Sequence, residues 1–424
     1  MAPKVVFVGN KADSSDSILK PFRSILKEIV LFVFFRQLII DSLWFLWYII
    51  YNGIGYVIDK DKKGIRRKFM GNNRVTLKEI AAELNVSRTT VHRALHGKEG
   101  ISEELRQAIL TRAEELGYTT NYIASSLKRK TKRLAVVLPQ KEGVGQFYHK
   151  YFWDAIETFY PEASSLNVEI VAFPFQEDKD QQVAILDKIF HDGNTEYHGI
   201  LTMPTKNDEE LRQAVKRFSY KNVPVVLVDS DLPDSGRLCC IAPHDRLTGR
   251  LGAEILTSIT HKPGKILIAS GSTAHAAHMN NLEGFREYLK ESAPEFELLV
   301  MHNYGNFQKC YQESVALLRS HPDIVAFYSV TARDTIPLTQ AVIDCGLAGK
   351  LRGVGSDLFP QSAKLLRQGA LQALIYKNAY DKGRLGFEVL FSYVVKNIAP
   401  ETEKMTVPIS VIMQNNLPFF KDFI

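Results

Sequence analysis

Cysteine is scarce in this 424-residue chain, with four in all, at Cys239, Cys240, Cys310 and Cys345. Two are adjacent, which does not suit an ordinary bridge, and no spacing matches a zinc site. Buried free thiols in a reducing compartment are therefore expected. Catalytic signatures are missing as well: no Gly-x-Ser-x-Gly elbow, no phosphate-cradling Walker loop, no His-Glu-x-x-His pair. His244, His275, His278 and His302 have carboxylates nearby, and Gly271-Ser272 could suggest phosphate binding, but none stands in a recognisable spacing. The expectation is a protein that is not an enzyme and holds no metal or cofactor. No leucine heptad follows Pro400, which points to a dimer rather than a tetramer.

One hydrophobic run is long. Leu38 to Ile58 is 21 residues with Asp41 as its only charge, enough to cross a bilayer, and Lys60 to Lys68 adds a basic flank. A membrane tether with the following domain on the cytoplasmic side is one reading. The other, preferred here, is that residues 1–72 are an atypical extension and that translation starts near Met70, six residues ahead of Thr76. Membrane contact is then not expected. The run begins too far in, and lacks the small-residue cleavage site, for a signal peptide.

Beyond it the pattern changes to short amphipathic helices. Thr76 and Glu79 form a Thr-x-x-Glu capping box ahead of Leu77, Ile80, Ala81 and Leu84 on one face. Asn85-Val86 breaks the pattern. Ser87 suits the N-cap of a second helix whose Val91, Ala94 and Leu95 face inward, leaving Arg88, Thr89, Thr90 and Arg93 outside. A third helix is capped by Ser102, opened by Glu103 and Glu104, lined by Leu105, Ile109, Ala113 and Leu116 and stopped by Gly117. The pair with a tight turn is the form that puts a helix into DNA.

Charge follows the same partition. Residues 73–133 carry 12 Lys/Arg against 7 Asp/Glu. The run Lys128-Arg129-Lys130-Thr131-Lys132-Arg133 suits phosphates or a solvated linker, and either makes it a boundary.

After Arg133, continuous apolar runs alternate with helical stretches: Leu134–Leu138, Val168–Phe173, Gly199–Met203 and Val225–Val228, separated by helices such as Phe152 to Leu166 and Glu209 to Phe218. A second series follows with Lys265–Ala269, Glu297–Val300, Ile324–Tyr328 and a strand ending at Gly353-Val354-Gly355. This predicts two α/β lobes of parallel sheet flanked by helices, with a cleft between them for a small molecule.

Thr76-Leu77 with Ile80-Ala81, then Val86-Ser87 with Thr90-Val91 and Arg93-Ala94-Leu95, then Glu115-Leu116-Gly117-Tyr118 and Asn121–Leu127 together resemble the LacI/GalR family of bacterial repressors. The similarity continues to the C-terminus. It implies a small all-α helix-turn-helix domain at 73–119, a hinge helix and basic linker at 120–133, and a two-lobed periplasmic-binding-protein-like effector and dimerisation domain at 134–424. Thr76 belongs to the DNA-binding set. Arg88 and Thr89 would read base edges in the major groove, Arg93 a base or phosphate, and Ser87 and Thr90 the backbone. Asn121, Tyr122, Ala124 and Leu127 would order as a hinge helix in the minor groove, with Leu127 opening a base step.

The same resemblance places effector residues at Asp245 and Asp357, carboxylates for sugar hydroxyls, at Phe307, and at Phe152 or Trp153. It also exposes departures. Met279 and Asn281 stand where the family often has sugar-binding arginines, and Arg333-Asp334 replaces an Asn-Asp pair. Arg246 stands where an asparagine is frequent. If Arg333 and Arg246 point inward, the cleft favours an acidic sugar over a neutral hexose.

These readings converge on a cytoplasmic, nucleoid-associated repressor, a homodimer that binds an operator and a sugar or sugar-derived effector. The alternative is a membrane-anchored solute receptor without DNA regulation, which would not need residues 76–127.

Overall fold

A computed structural model describes residues 75–95, 98–116, 118, 130–302 and 306–423. The hydrophobic run at 38–58, Met70, and the hinge expectations at Asn121, Tyr122, Ala124 and Leu127 lie outside the described residues.

Three helices come first, α1 Leu77–Glu83, α2 Arg88–Leu95 and α3 Glu103–Glu115. Thr76 and Glu79 close the expected box, with the Thr76 amide donating to Glu79 Oε2 at 2.6 Å and the Glu79 amide to Thr76 Oγ1 at 3.4 Å. Asn85 takes the left-handed turn at φ 51°. Ser87 Oγ then accepts the Thr90 amide at 3.0 Å, satisfying an orphan donor at the start of α2. Ile80, Ala81, Val91, Ala94, Ile109 and Ala113 make one buried core. Arg106 of α3 reaches the carbonyls of Ala94 and Lys98 at the far end of α2, and Arg112 pairs with Glu83 at 2.5 Å. Arg106 thereby holds the C-terminal end of α2 and Arg112 ties α3 to α1, while Arg88, Thr89 and Arg93 of α2 stay exposed.

The α/β part runs β1 Lys132–Pro139, α4 His149–Glu157, α5 Tyr160–Ser165, β2 Val168–Phe175, α6 Lys179–His191, β3 Gly199–Thr202, α7 Glu209–Tyr220, β4 Val225–Val228 and β5 Cys239–Ala242. It continues α8 Asp245–Ile259, β6 Lys265–Ala269, α9 Ala276–Ser292, β7 Glu297–Met301, α10 Phe307–Ser320, β8 Ile324–Ser329, α11 Ala332–Asp344 and β9 Arg352–Ser356. The last elements are α12 Pro360–Arg367, β10 Ala373–Tyr376, α13 Ala379–Phe391, β11 Lys404–Thr406 and β12 Ser410–Ile412.

The strands form two six-stranded sheets, β11-β5-β4-β3-β1-β2 and β12-β10-β9-β8-β6-β7. The first is parallel throughout, and in the second β12 alone runs antiparallel. Both faces of the central strands are buried, which is why β1, β3, β4, β6 and β8 read as apolar runs. The chain crosses between lobes after β5, after β10 and between β11 and β12. Strands β5, β10, β11 and β12 went unexpected, being three or four residues each. The helix expected from Phe152 to Leu166 is two, because Pro161 sits in the first turn of α5.

One expectation changes at the start of this part. The basic run does not stay a linker to Arg133, since β1 begins at Lys132. There Lys132 Nζ donates to the Val394 carbonyl and Arg133 pairs with Glu169 at 2.6 Å. Helices α8 and α9 cross backbone to backbone. A β-carbon at Gly249 would stand 1.8 Å from the Asn281 carbonyl oxygen, and one at Gly284 would stand 1.9 Å from that of Arg246. Cys239, Cys240 and Cys310 are buried free thiols and Cys345 is a half-buried one.

Candidate functional site: a DNA-facing helix and an inter-lobe cleft

On the helical domain, Thr76, Ser87, Arg88, Thr89 and Arg93 are exposed and Thr90 is half-buried. Thr76 and Ser87 are engaged as caps, and the Ser87 and Thr90 hydroxyls lie 2.8 Å apart. Arg88, Thr89 and Arg93 share one outward face of α2. The Arg93 guanidinium passes over Gly100, whose φ of 92° favours glycine.

The second candidate lies where the two sheets point their carboxyl ends at each other, the crevice in which open parallel sheets bind ligands. It is a cavity of about 720 Å³ including its open mouth. Many of its polar side chains come from the loops and helix starts that follow the strands: Tyr148 and His149 beyond β1, Glu177 after β2, Asp229 after β4, and Asp245 after β5. From the other lobe come His275, His278 and Asn281 after β6, Arg333 after β8, Asp357 after β9 and Lys377 after β10. Asp229 and Asp357 hold left-handed backbone at φ 70° and 61°, which short acidic side chains tolerate and which turns their carboxylates inward.

Buried hydrogen bonds fix these loops. Gln182 holds the β3 loop by donating to Thr202 Oγ1 at 2.9 Å and the Met203 carbonyl at 2.8 Å while accepting the Thr205 amide and hydroxyl. Ser356 Oγ donates to the Val330 carbonyl at 2.9 Å, tying the β8 and β9 loops together.

The charges are arranged in pairs. Lys382, fully buried on α13, donates to Asp229 and to the Tyr148 hydroxyl, and Tyr148 also donates to Asp229. Burial opposes ionisation of Asp229, but the Lys382 charge and these hydrogen bonds hold it down at about 2. Lys377 Nζ stands 3.1 Å from Asp357 Oδ2 and 3.1 Å from the Val330 carbonyl, and its own amide donates to Asp357 Oδ1. Arg333 pairs with Glu177 across the cleft. Asp245 is half-buried, and burial together with the nearby Asp229 pushes it up to about 7. The histidines are kept neutral by burial, His149 down to about 4 and His278 lower than its usual range, with the His278 and His275 rings 4.9 Å apart.

Of the expected effector residues, Asp245, Asn281, Arg333 and Asp357 line this cavity, and five do not. Phe152 is fully buried on the inner face of α4, and Trp153 is buried with its indole donating to the Pro139 carbonyl at 2.8 Å. Met279 packs against the core of the second lobe. Phe307 is 46% exposed at the start of α10. Asp334 is buried as the partner of Thr331, which caps α11. Arg246 points away, to Glu287 at 2.7 Å, and Arg333 is neutralised by Glu177, so the premise of an anion-seeking cleft fails. Tyr148, His149, Glu177, Asp229, His275, His278 and Lys377 were missed as lining residues. Their shared signal is position just after a strand's carboxyl end.

Residues 144–397 match the family described as periplasmic binding protein domain, and residues 76–121 match bacterial regulatory proteins, lacI family. Among curated proteins, the ribose operon repressor of Bacillus subtilis is 23% identical over 350 residues, 80% of this chain and 97% of that one. The NTD biosynthesis operon regulator NtdR of B. subtilis is 32% identical over 134 residues, covering 31% of this chain and 38% of NtdR. Among solved structures, a solute-binding protein from Agrobacterium vitis bound with α-D-tagatopyranose aligns with a TM-score of 0.60 at 18% identity, over 69% of this chain and 99% of that one, which shows the fold. With the lacI-type helices ahead of a periplasmic-binding-protein domain, the chain belongs to the LacI family of bacterial DNA-binding transcription regulators.

Proposed function

We propose that this protein is a repressor that acts as a homodimer in the cytoplasm, reads a near-palindromic operator with one helix-turn-helix per half-site, and is controlled by a sugar-class effector held between the lobes. The observation that carries this reading is the joining, on one chain, of an uncovered Arg88-Thr89-Arg93 face to a cleft whose polar groups come from both lobes. Arg88 and Thr89 are assigned to base edges, Arg93 to a base or phosphate, Thr76, Ser87 and Thr90 to the backbone, and Asn121, Tyr122, Ala124 and Leu127 to the hinge in the minor groove. Lys130, exposed ahead of β1, adds a phosphate contact.

Effector recognition falls to Asp245, Asn281, Arg333 and Asp357 with Glu177, Asp229 and Lys377. Coupling runs through closure. A ligand that bridges the lobes shifts the first lobes of the two copies, changes the separation of their hinge segments, and so alters how readily those segments fold on DNA. Ligand and operator affinities are then linked by one factor. A domain limit at 119/120 and a linker that gives way to the effector domain at Lys132 accompany this scheme, and catalysis forms no part of it. The rival reading, a membrane-anchored receptor, leaves the α2 face without a role. Fluorescence anisotropy of the protein with genomic double-stranded fragments, with and without a panel of monosaccharides, tests the proposal. Sequence-selective binding that a sugar modulates supports it, and absence of any selective fragment rejects it.

A further inference from the structure

The cleft is lined by four carboxylates, and the cations that meet them are Arg333 and Lys377 on its wall and Lys382 buried behind it. Glu177, Asp229 and Asp357 are each matched, by Arg333, Lys382 and Lys377. Asp245 has neither a cation within ion-pair distance nor a hydrogen-bond donor among the described residues, although it faces the same cavity. The charged groups acting on it are Asp229, which repels it, and Lys382, Lys377 and Lys404, each engaged with another carboxylate, Lys404 with Asp231 at 3.8 Å. A second acceptor is left over. Asp357 is 2% exposed, and its Oδ2 receives no hydrogen bond, since Lys377 Nζ lies 3.1 Å away outside hydrogen-bonding geometry. A cleft with one carboxylate that lacks a cation and a buried acceptor without a donor calls for a ligand that brings positive charge and several donors. A carboxylated or phosphorylated ring would add a negative charge to a site that already has one too many. A neutral ring would supply no cation, leaving the Asp229–Asp245 repulsion to be relieved only by protonation of Asp245.

We infer that the effector is an amino sugar or a related amino-polyol, whose ammonium group pairs with Asp245 while its hydroxyls meet Asp357 and Asn281. This rests on the reading of the cleft as the effector site. It goes further by naming the charge of the ligand. The ammonium takes the place that a protein cation takes beside every other carboxylate of the cleft. It also offsets the Asp229–Asp245 repulsion that the empty site tolerates by letting Asp245 take up a proton near neutrality.

The test is isothermal titration of the full-length protein against three matched pairs, D-glucosamine and D-glucose, D-galactosamine and D-galactose, D-mannosamine and D-mannose, with D-glucuronate as an anionic control. In at least one pair the amine is expected to bind ten-fold or more tightly than its hydroxyl counterpart, and Asp245→Asn is expected to cut that ratio to two-fold or less. A second measurement needs no variant. At pH 6.5, titration of the wild type in buffers of different ionisation enthalpy should show release of about half a proton or more as the amine fixes Asp245 in its charged form. A hydroxyl compound binding as well as its amine in every pair, no binding by any amine, an unchanged ratio in Asp245→Asn, or no proton release would each overturn the inference. If a neutral or anionic ring binds and shifts operator affinity, the regulator reading stands and the amine assignment falls. If an amine binds but no DNA is retained, the reverse holds.

Discussion

Arg333 and Glu177 form an ion pair from opposite lobes, one from the first turn of α11 and the other two residues past β2. Their side chains are only 11% and 16% exposed. A guanidinium at a helix N-terminus opposes the helix dipole, so the pair stabilises a position that α11 by itself disfavours. It is therefore a latch that forms only when the lobes are together.

Removing one partner leaves the other buried and unmatched. Glu177→Gln should destabilise the closed cleft by about 3 kcal/mol, whereas a Glu177→Leu/Arg333→Met double variant should recover most of that loss. Equilibrium urea unfolding of wild type and the two variants checks this, and a double variant no more stable than Glu177→Gln would refute the latch.

Asp245 gives stability a defined pH dependence. Its folded pKa of about 7 lies above the ordinary aspartate value of 3.8, so the folded protein keeps a proton that the unfolded chain releases. Its contribution therefore weakens as pH rises from about 4 to about 7, and the penalty is complete above that. Asp245→Asn should melt higher than wild type at pH 8 and at the same temperature at pH 3.5. Thermal scans across that range read the difference, and a pH-independent offset would contradict it.

The contact between α8 and α9 admits no side chain. Gly249→Ala places a methyl 1.8 Å from a carbonyl oxygen, and the helices must separate to take it. Overpacking of this kind costs about 1–3 kcal/mol or more, and because Asn281 lies at the contact, ligand binding should weaken in parallel. Gly193→Ala, where nothing lies within 4 Å, is the control and should leave both unchanged. Denaturation midpoints and calorimetry measure the two effects together.

On the DNA side, Arg88→Ala should lose about 1–3 kcal/mol of discrimination between operator and mutated operator, because a bidentate guanidinium–base contact carries sequence information. Lys130→Ala should weaken all DNA alike and reduce the salt slope by about 1. Competition gel shifts at several salt concentrations distinguish the two. An Arg88→Ala protein with unchanged preference removes Arg88 from the reading set.

The helical domain was legible because its signals are local. Thr76 and Glu79, or Ser87 and Thr90, lie three residues apart and determine helix starts by themselves. The sheets were legible where strands are long and apolar on both faces, as in Leu134–Leu138. The short strands β5, β11 and β12 owe their state to neighbours distant in sequence. The cleft was the least legible part, because Tyr148, Asp229 and Lys382 are brought together by topology over more than 200 residues. Phe152 and Trp153 mislead because an aromatic that follows a strand by the right distance can equally face the core, as these do. Arg246 misleads because adjacency to Asp245 says nothing of direction, and on a helix the next residue points some 100° away.

Reciprocal linkage is the claim on which the regulator account turns. The decisive measurement is the dissociation constant of the full-length protein for a retained genomic operator fragment, taken with and without saturating effector, beside that for effector with and without saturating operator. The account predicts the same multiplicative change in both, by a factor between about 5 and 150. Operator affinity indifferent to every ligand that fills the cleft, or no retained fragment at low ionic strength, would contradict it.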